Sequence, residues 1–421
     1  MSGTVGSNIL RGSGTIATTA AGLSWDTAVV TGSTVTVEAG NGYWINTTSN
    51  ACTVTLPSAA EAGDQIVLVD YARTWGDNNV TLDSNGLNFQ GQADNYTVEY
   101  TTAGQSLNIV YADSTKGWLP LEDDVAADEP TLLPTQKAIF AFGNTGSATA
   151  ISNLVNSSGV VASDTSGVGT ARGDLAAASY GVDKAIFGYG ISSGVTNLSN
   201  LVSNSGVVAS DTTGVGTARS NLAAASYGGD KAIFGYGTTS GAPEVVSLTN
   251  LVSNSGVVGT DVTGVGLARY TLAAAAYGGD KAIFGFGYKT AASYYVATTN
   301  LVSSSGVVGT DVTGVGTVRS QLAATGYGGD KAIFGYGHGN KSMTNLVSNT
   351  GVVASDVSGV GTGRRLLAAA AYGGDKALFG YGHATTAITN LVNSSGVVSA
   401  DVSGVGTARY VLAASGYSTS T

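Results

Sequence analysis

Few side chains in this chain are suited to covalent chemistry. Two histidines are present, His338 and His383, with one cysteine, Cys52, and no Cys-x-x-Cys or zinc-type spacing. Nucleophilic catalysis needs a Ser or Cys beside a base that a carboxylate orients. The histidines lie 45 residues apart and neither is near the cysteine, so no triad is expected. Aspartates recur as Asp211, Asp261, Asp311 and Asp356, each in a near-identical setting. Paired carboxylates could cleave a glycosidic bond, but an active site would break that uniformity. These Asp residues read instead as Asx turns, as in Asp211-Thr212-Thr213-Gly214. They lack the dense Asp/Asn spacing of a calcium loop. The Gly-Val-Gly and Gly-Tyr-Gly triplets precede no helix, so they are not phosphate loops. No catalytic residue, cofactor or metal is expected.

Side chains suited to non-covalent recognition cluster more tightly. Tyr288, Lys289, Tyr294, Tyr295, His338, Asn340, Lys341 and His383 all fall in short stretches that interrupt an otherwise repeated pattern. The pattern is Lys-Ala-Ile/Leu-Phe-Gly/Ala-aromatic-Gly, starting at Lys137, Lys184, Lys231, Lys281, Lys331 and Lys376. A period of this size signals a propeller, solenoid or array. From Asn153, Asn200, Asn250, Asn300 and Asn345 the next Lys is always 31 residues on, and Thr421 stands 31 after Asn390. All length variation is therefore confined to the loops NTGSATAIS, ISSGVTNLS, TTSGAPEVVSLT, YKTAASYYVATT, HGNKSMT and HATTAIT. A frame copied nearly verbatim that carries one free loop per copy is a binding scaffold.

The frame predicts four strands per copy: A (RSNLAAASY), B (DKAIFGYG), C (TNLVS) and D (GVVASD). Tyr-Gly-Gly-Asp supplies the A–B hairpin turn. Arg172, Arg219, Arg269, Arg319 and Arg409 open strand A and are expected to meet a carboxylate or carbonyls across copies. The Asp230-Lys231 pair is expected in solvent, and the rings of Phe142, Tyr189, Tyr236, Phe286, Tyr336 and Tyr381 between copies. The first copy lacks a strand A and the last ends on one (Arg409 to Tyr417). The orphan strand can complete the first copy and leave no open edge. This arrangement resembles the kelch blade, although Gly-Tyr-Gly replaces the Gly-Gly doublet and strand D lacks the kelch Trp. The resemblance implies a six-bladed β-propeller over 137–421, closed by the C-terminal strand, with all B–C loops on one face. A copper-radical oxidase of that fold would need more histidines and a cysteine inside the repeats.

Before the repeats, TVTVEAG, GYWINTT, CTVTLP, DQIVLVDYA, NVTLD, YTVEYT and SLNIVYA are short β-branched runs separated by turn residues. They predict a β-sandwich, jelly-roll-like, over 29–121. Trp44, Trp75 and Trp118 read as core or subunit-interface anchors. Residues 1–28 are small and weakly patterned, and read as an attachment or assembly segment. Residues 122–136 read as a linker, with two of the five prolines in or beside it. The chain enters the repeats at the start of strand B, which places the N-terminal part opposite the variable loops.

Charge and hydropathy exclude other classes. Net charge is −10. Residues 1–130 hold three Lys and Arg against fifteen Asp and Glu, and neither half has a basic stripe, so nucleic acid is not an expected partner. No signal peptide and no apolar run long enough to span a membrane is seen.

GNGYWINTTSNACTVTLPSAAEAGDQIVLVDYARTWGDNNVTLDSNG (40–86) with SLNIVYADSTKGWLPL resembles a domain of bacteriophage tail-fibre proteins, especially phages of aquatic bacteria. GDKAIFGYG with TNLVSNSGVVASD and GVGTAR is similar to repeats of such virion proteins. The resemblance implies a non-enzymatic virion protein, usually a homotrimer. Its N-terminal region would attach to tail or baseplate proteins, and its distal head would bind a host surface glycan or protein. A decoration protein without receptor binding, and a polysaccharide hydrolase, are the alternatives.

Overall fold

A computed structural model describes residues 23–93, 96–123, 131–132, 135–241, 244–290, 294–384 and 386–420. Most of the attachment segment 1–28 and most of the 122–136 linker lie outside them. The described residues form strands and turns only, so the chain is all-β. It divides into two compact units, Met1–Leu133 and Pro134–Thr421.

The first unit contains β1 (Ser24–Val30), β2 (Thr34–Thr36), β3 (Asn41–Ile45), β4 (Cys52–Thr55), β5 (Gln65–Asp70), β6 (Val80–Asp83), β7 (Tyr96–Tyr100), β8 (Ser106–Asp113), β9 (Gly117–Asp123) and β10 (Thr131–Leu132). They make two five-stranded sheets, β1-β3-β5-β8-β9 and β10-β7-β6-β4-β2. Alternate residues of β4, β5, β6 and β8 point inward. They build one core that includes Val54, Ile66, Leu68, Leu82, Ile109 and the fully buried Trp75 and Trp118.

The jelly-roll-like expectation needs correction. The first six strands alternate between the sheets and pair in parallel, β1 with β3 with β5 and β2 with β4 with β6. Antiparallel pairing begins only afterwards. The physical reason is visible at Asn41-Gly42. Asn-Gly is ordinarily a hairpin-turn pair, but here it opens β3, and Gly42 lies under the Trp25 ring, where a Cβ would come within 2.7 Å of it. The boundaries shift as well: β1 starts inside the segment assigned to assembly, and β10 adds to the second sheet from within the linker.

The second unit holds β11 (Lys137–Ala141), β12 (Ser152–Val155), β13 (Ala176–Tyr180), β14 (Lys184–Gly188), β15 (Ser199–Val202), β16 (Ala223–Tyr227), β17 (Lys231–Gly235), β18 (Thr249–Val252), β19 (Ala273–Tyr277), β20 (Lys281–Gly285), β21 (Tyr288–Lys289), β22 (Tyr294–Tyr295), β23 (Thr299–Val302), β24 (Ala323–Tyr327), β25 (Lys331–Gly337), β26 (Lys341–Val347), β27 (Ala368–Tyr372), β28 (Lys376–Gly380), β29 (Thr389–Val392) and β30 (Ala413–Tyr417). Six antiparallel three-stranded sheets result, and β21 pairs with β22 as a separate ribbon. The last strand, β30, pairs with β11 as expected, from Lys137↔Tyr417 to Ala141↔Ala413.

The sheets have three strands where the sequence predicts four. The D segment meets its neighbour only at single bridges such as Val202↔Val208 and Ser199↔Thr212. Its remaining polar groups are diverted. The Asn200 side chain takes the Ala209 carbonyl at 3.0 Å and the Asp211 carboxylate at 2.9 Å. Asp211 turns instead to the segment that leads into the first strand of its own sheet, where it accepts hydrogen bonds from the Thr170 N–H and hydroxyl. This clamp replaces the Asx turn expected at Asp211. It recurs from Thr217 to Asp261, Thr317 to Asp356, Thr362 to Asp401 and, between segments 243 residues apart that flank the sheet shared by β30 and β11, Thr407 to Asp164.

The arginine that opens each copy's first strand is almost completely buried. Arg172 donates to the Tyr189 carbonyl at 2.8 Å and to Asn200 Oδ1 at 2.6 Å, and its guanidinium lies 4.3 Å from the centre of the preceding sheet's Phe142 ring. The same stacking recurs at Arg219, Arg269, Arg319, Arg364 and Arg409. Arg364 completes the set and was not singled out in the sequence. The Gly-aromatic-Gly rings pack between sheets as expected, Tyr189 against Phe234 at 5.1 Å. The Asp-Lys pairs lie at the surface, with Nζ to carboxylate distances of 2.7–3.0 Å.

Candidate functional site

The variable loops all leave at the same end of their sheets. Each begins at a glycine with positive φ, from Gly143 (109°) to Gly382 (125°), a backbone state that other residues resist. Each is then hydrogen-bonded to the residue following the arginine of its own sheet. Ile191 pairs with Gly173, Thr238 with Ser220, Tyr288 with Tyr270, and Asn144 with Tyr410. His338 N–H donates to the Ser320 carbonyl at 2.8 Å, and His383 N–H to the Arg365 carbonyl at 2.7 Å. The loops and the Arg-x-x-Leu turns therefore share one surface.

Several sequence-predicted residues meet there. Tyr288 and Tyr295 face each other across the β21–β22 ribbon with ring centres 5.2 Å apart. Tyr270 packs edge-on to Tyr288 at 5.5 Å, and His338 stacks on Tyr295 at 4.8 Å. The Tyr295 hydroxyl and His338 Nε2 are 3.2 Å apart. This row of four rings spans two successive repeats. Beside it Lys289 Nζ sits 4.2 Å from the centre of the Tyr294 ring, and Tyr294 is about half exposed. A row of rings with polar edges and a nearby cation suits a ligand that offers flat apolar faces and hydroxyls.

The other predicted residues lie apart from this row. Asn340 and Lys341 form the tight hairpin between β25 and β26, where Asn340 has φ 52° and Lys341 pairs with Gly337. His383 belongs to a separate group: its ring lies 6.0 Å from Tyr410, and its Nε2 is 3.5 Å from Arg365 Nη2. In the third loop, the segment around 238–249 borders a groove of about 770 Å³ lined by Thr217, Ala218, Val245, Val246, Leu248 and Thr263 among others. Neither histidine is hydrogen-bonded to a carboxylate among the described residues, and no group of three or more His, Cys, Asp or Glu is placed to hold a metal there. Cys52 is buried in the first unit, and burial pushes its thiol pKa up, away from the reactive thiolate.

One part of this surface was missed in the sequence. The second residue after each arginine is Asp174, Asn221, Thr271, Gln321, Leu366 or Val411, six different side chains in six copies. The structure brings all six together around one small cavity of about 80 Å³, above a tier of leucines from Leu175 to Leu412. Their backbones link head to tail. Asn221 N–H donates to the Asp174 carbonyl, Thr271 to Asn221, Gln321 to Thr271, Leu366 to Gln321, Val411 to Leu366 and Asp174 to Val411, at 2.8–3.0 Å. A second cycle joins the A–B turns, from Gly181 to Asp230 and onward to Ser418 with Asp183. The signal was available: Leu-Ala-Ala follows each of these positions almost unchanged, so a residue that differs in every copy stands out. No protein-family model and no curated protein matches this chain.

Proposed function

We propose that the chain is a bacteriophage tail-fibre protein. In this reading the six sheets are blades of a β-propeller, and the loop-bearing face is the receptor-binding head. The propeller reading is supported by the pairing of β30 with β11 and by the two head-to-tail hydrogen-bond cycles, which run through all six sheets and return to the first. The N-terminal unit attaches the protein to the tail and brings three copies together. The exposed Trp25, stacked on Trp44 at 4.5 Å, suits such an assembly surface.

The observation that carries the functional reading is the confinement of sequence variation to one surface. The frame between sheets is repeated almost residue for residue, while the loops and the two residues after each arginine differ from copy to copy. Packing alone gives no reason for that contrast, because every copy solves the same packing problem. Recognition of an irregular ligand does. The Tyr270–Tyr288–Tyr295–His338 row offers faces on which pyranose rings can stack, which favours a surface glycan. Several heads on one virion would add avidity, so each need bind only weakly.

The frame itself supplies a clean test. It already accepts loops of 7, 9 and 12 residues, so replacing 288–299 by the HATTAIT loop should leave folding intact. The variant is expected to keep its thermal midpoint and lose adsorption to host cells. Undiminished adsorption would overturn the receptor reading and favour a purely structural virion protein. Shortening of host polysaccharide on incubation would instead favour a hydrolase.

A further inference from the structure

The cavity at the centre of the six Arg-x-x-Leu turns has an asymmetry that packing does not require. Asp174, Asn221, Thr271 and Gln321 are consecutive around one arc, and Leu366 and Val411 complete the circle. Gln321 Oε1 is buried without a hydrogen-bond partner, and the partly buried Asp174 lines the same cavity. Buried polar atoms are ordinarily paired, and those left unpaired mark places where something else is expected to bind.

The backbone gives independent support. All six residues have φ between 49° and 56°. Asn and Asp tolerate that conformation, whereas β-branched Thr271 and Val411 adopt it only under strain. A position kept for folding alone would settle on Asn or Gly. Here it carries six different side chains, two of them poorly suited to their own backbone.

We propose that this axial cavity binds a primary ammonium group on a slim alkyl stem, with the charge held by Asp174 and the amide and hydroxyl groups of its arc, and the stem against Leu366 and Val411. The volume admits only the tip of such a ligand. Asp174 is the only ionisable side chain lining the cavity. Burial pushes its carboxyl up to about 6, so the site is anionic above that pH and ready to pair with an amine that stays protonated to about pH 10. Pairing with a cation would remove the cost of holding that charge away from water. This inference does not depend on what the loops bind: the cavity can take an amine whether or not the protein adsorbs to a cell.

Two sources of such a group are chemically distinct, a lysine side chain and the end of a linear polyamine. The full-length protein is titrated with Nα-acetyl-lysine amide and, separately, with 1,4-diaminobutane. The methyl resonances of Leu366 and Val411 are followed by NMR at about pH 8, where both Asp174 and the lysine analogue are charged. Butanol is the neutral control. Saturable shifts with either amine and none with butanol support the proposal and name the source. D174N and D174L place at this position the residues that other copies already carry (Asn221, Leu366), so both are expected to fold. Each should weaken amine binding about tenfold or more, the scale of one charge-assisted hydrogen bond. Failure of both amines to bind, equal shifts with butanol, or undiminished binding by D174N and D174L would overturn the proposal. So would displacement of the same resonances by potassium or sodium chloride alone.

Discussion

Replacing Asp174 by Asn should stabilise the second unit, and only above a defined pH. Burial raises the Asp174 carboxyl from 3.8 to about 6. For an acid whose pKa is raised on folding, the folded state holds the proton more tightly than the unfolded state. The associated stability is present in full below the unfolded pKa and is lost as pH climbs through about 6. A shift of about 2 units corresponds to roughly 3 kcal/mol as an upper bound, the cost of carrying an ionised carboxylate in the cavity at neutral pH. Asn221 already occupies the equivalent position, with φ 54° against 52° for Asp174, so the substitution brings no new backbone strain. In a unit of this size about 3 kcal/mol moves the melting midpoint by roughly 5–10 °C. Calorimetry of wild type and D174N should show that gain at about pH 8 and little difference at about pH 4. Equal midpoints at both pH values would show that the carboxylate is solvated, and the reasoning from burial would fail. An equal gain at both would point to a packing effect with no role for charge.

Two further predictions concern the frame. Val182 has φ 71° in the A–B turn of the first complete hairpin, where four other copies have glycine, such as Gly229 at 78°. V182G should relieve about 1–3 kcal/mol of strain, less about 1 kcal/mol for the added freedom of the unfolded chain, and so raise the midpoint in urea; a lower midpoint would refute it. The clamp aspartates Asp164, Asp211, Asp261, Asp356 and Asp401 are each pushed upward by burial, but hydrogen bonds from the partner Thr, the Asn side chain and the Thr backbone outweigh this and hold them below the usual value of 3.8. Their stabilisation is complete above the unfolded pKa and is lost as pH falls through the lowered folded values. T407A, at the clamp between the segment leading into β30 and Asp164, should therefore be less stable than wild type at neutral pH. The difference should narrow below about pH 4. A deficit that stays constant in acid would mean that Thr407 acts through packing alone.

The repeat pattern was legible because each copy is governed by local rules. Tyr-Gly-Gly-Asp demands a tight turn, Lys-Ala-Ile-Phe-Gly a buried strand, and identical copies must meet their neighbours in the same way. The pairing of Arg409–Tyr417 with the first copy followed from the same count. The loops carrying Tyr288, Tyr295 and His338 were legible too, as the places where the copying stopped. What could not be read was which of those side chains meet. Tyr295 and His338 belong to different repeats, and only the packing of adjacent sheets brings His338 onto Tyr295 while leaving His383 with Arg365 and Tyr410.

The N-terminal unit shows the opposite case. Alternation and β-branching determined that these residues form strands with Trp75 and Trp118 inside, but the choice between antiparallel hairpins and parallel pairing depends on which sheet each strand joins next. That is decided by long-range contacts such as Trp25 over Gly42. In the second unit the sequence by itself determined the period, three of the four expected strands in each copy, the free loops and the strand that joins end to beginning, because all of these follow from local turn chemistry repeated at fixed spacing. Only the tertiary structure decided that the arginines stack between sheets, that each Asp clamps the segment leading into its sheet's first strand instead of its own turn, and that six unlike side chains spread over more than two hundred residues face one small cavity. Those outcomes depend on how each sheet packs on the next, and no single copy contains that information.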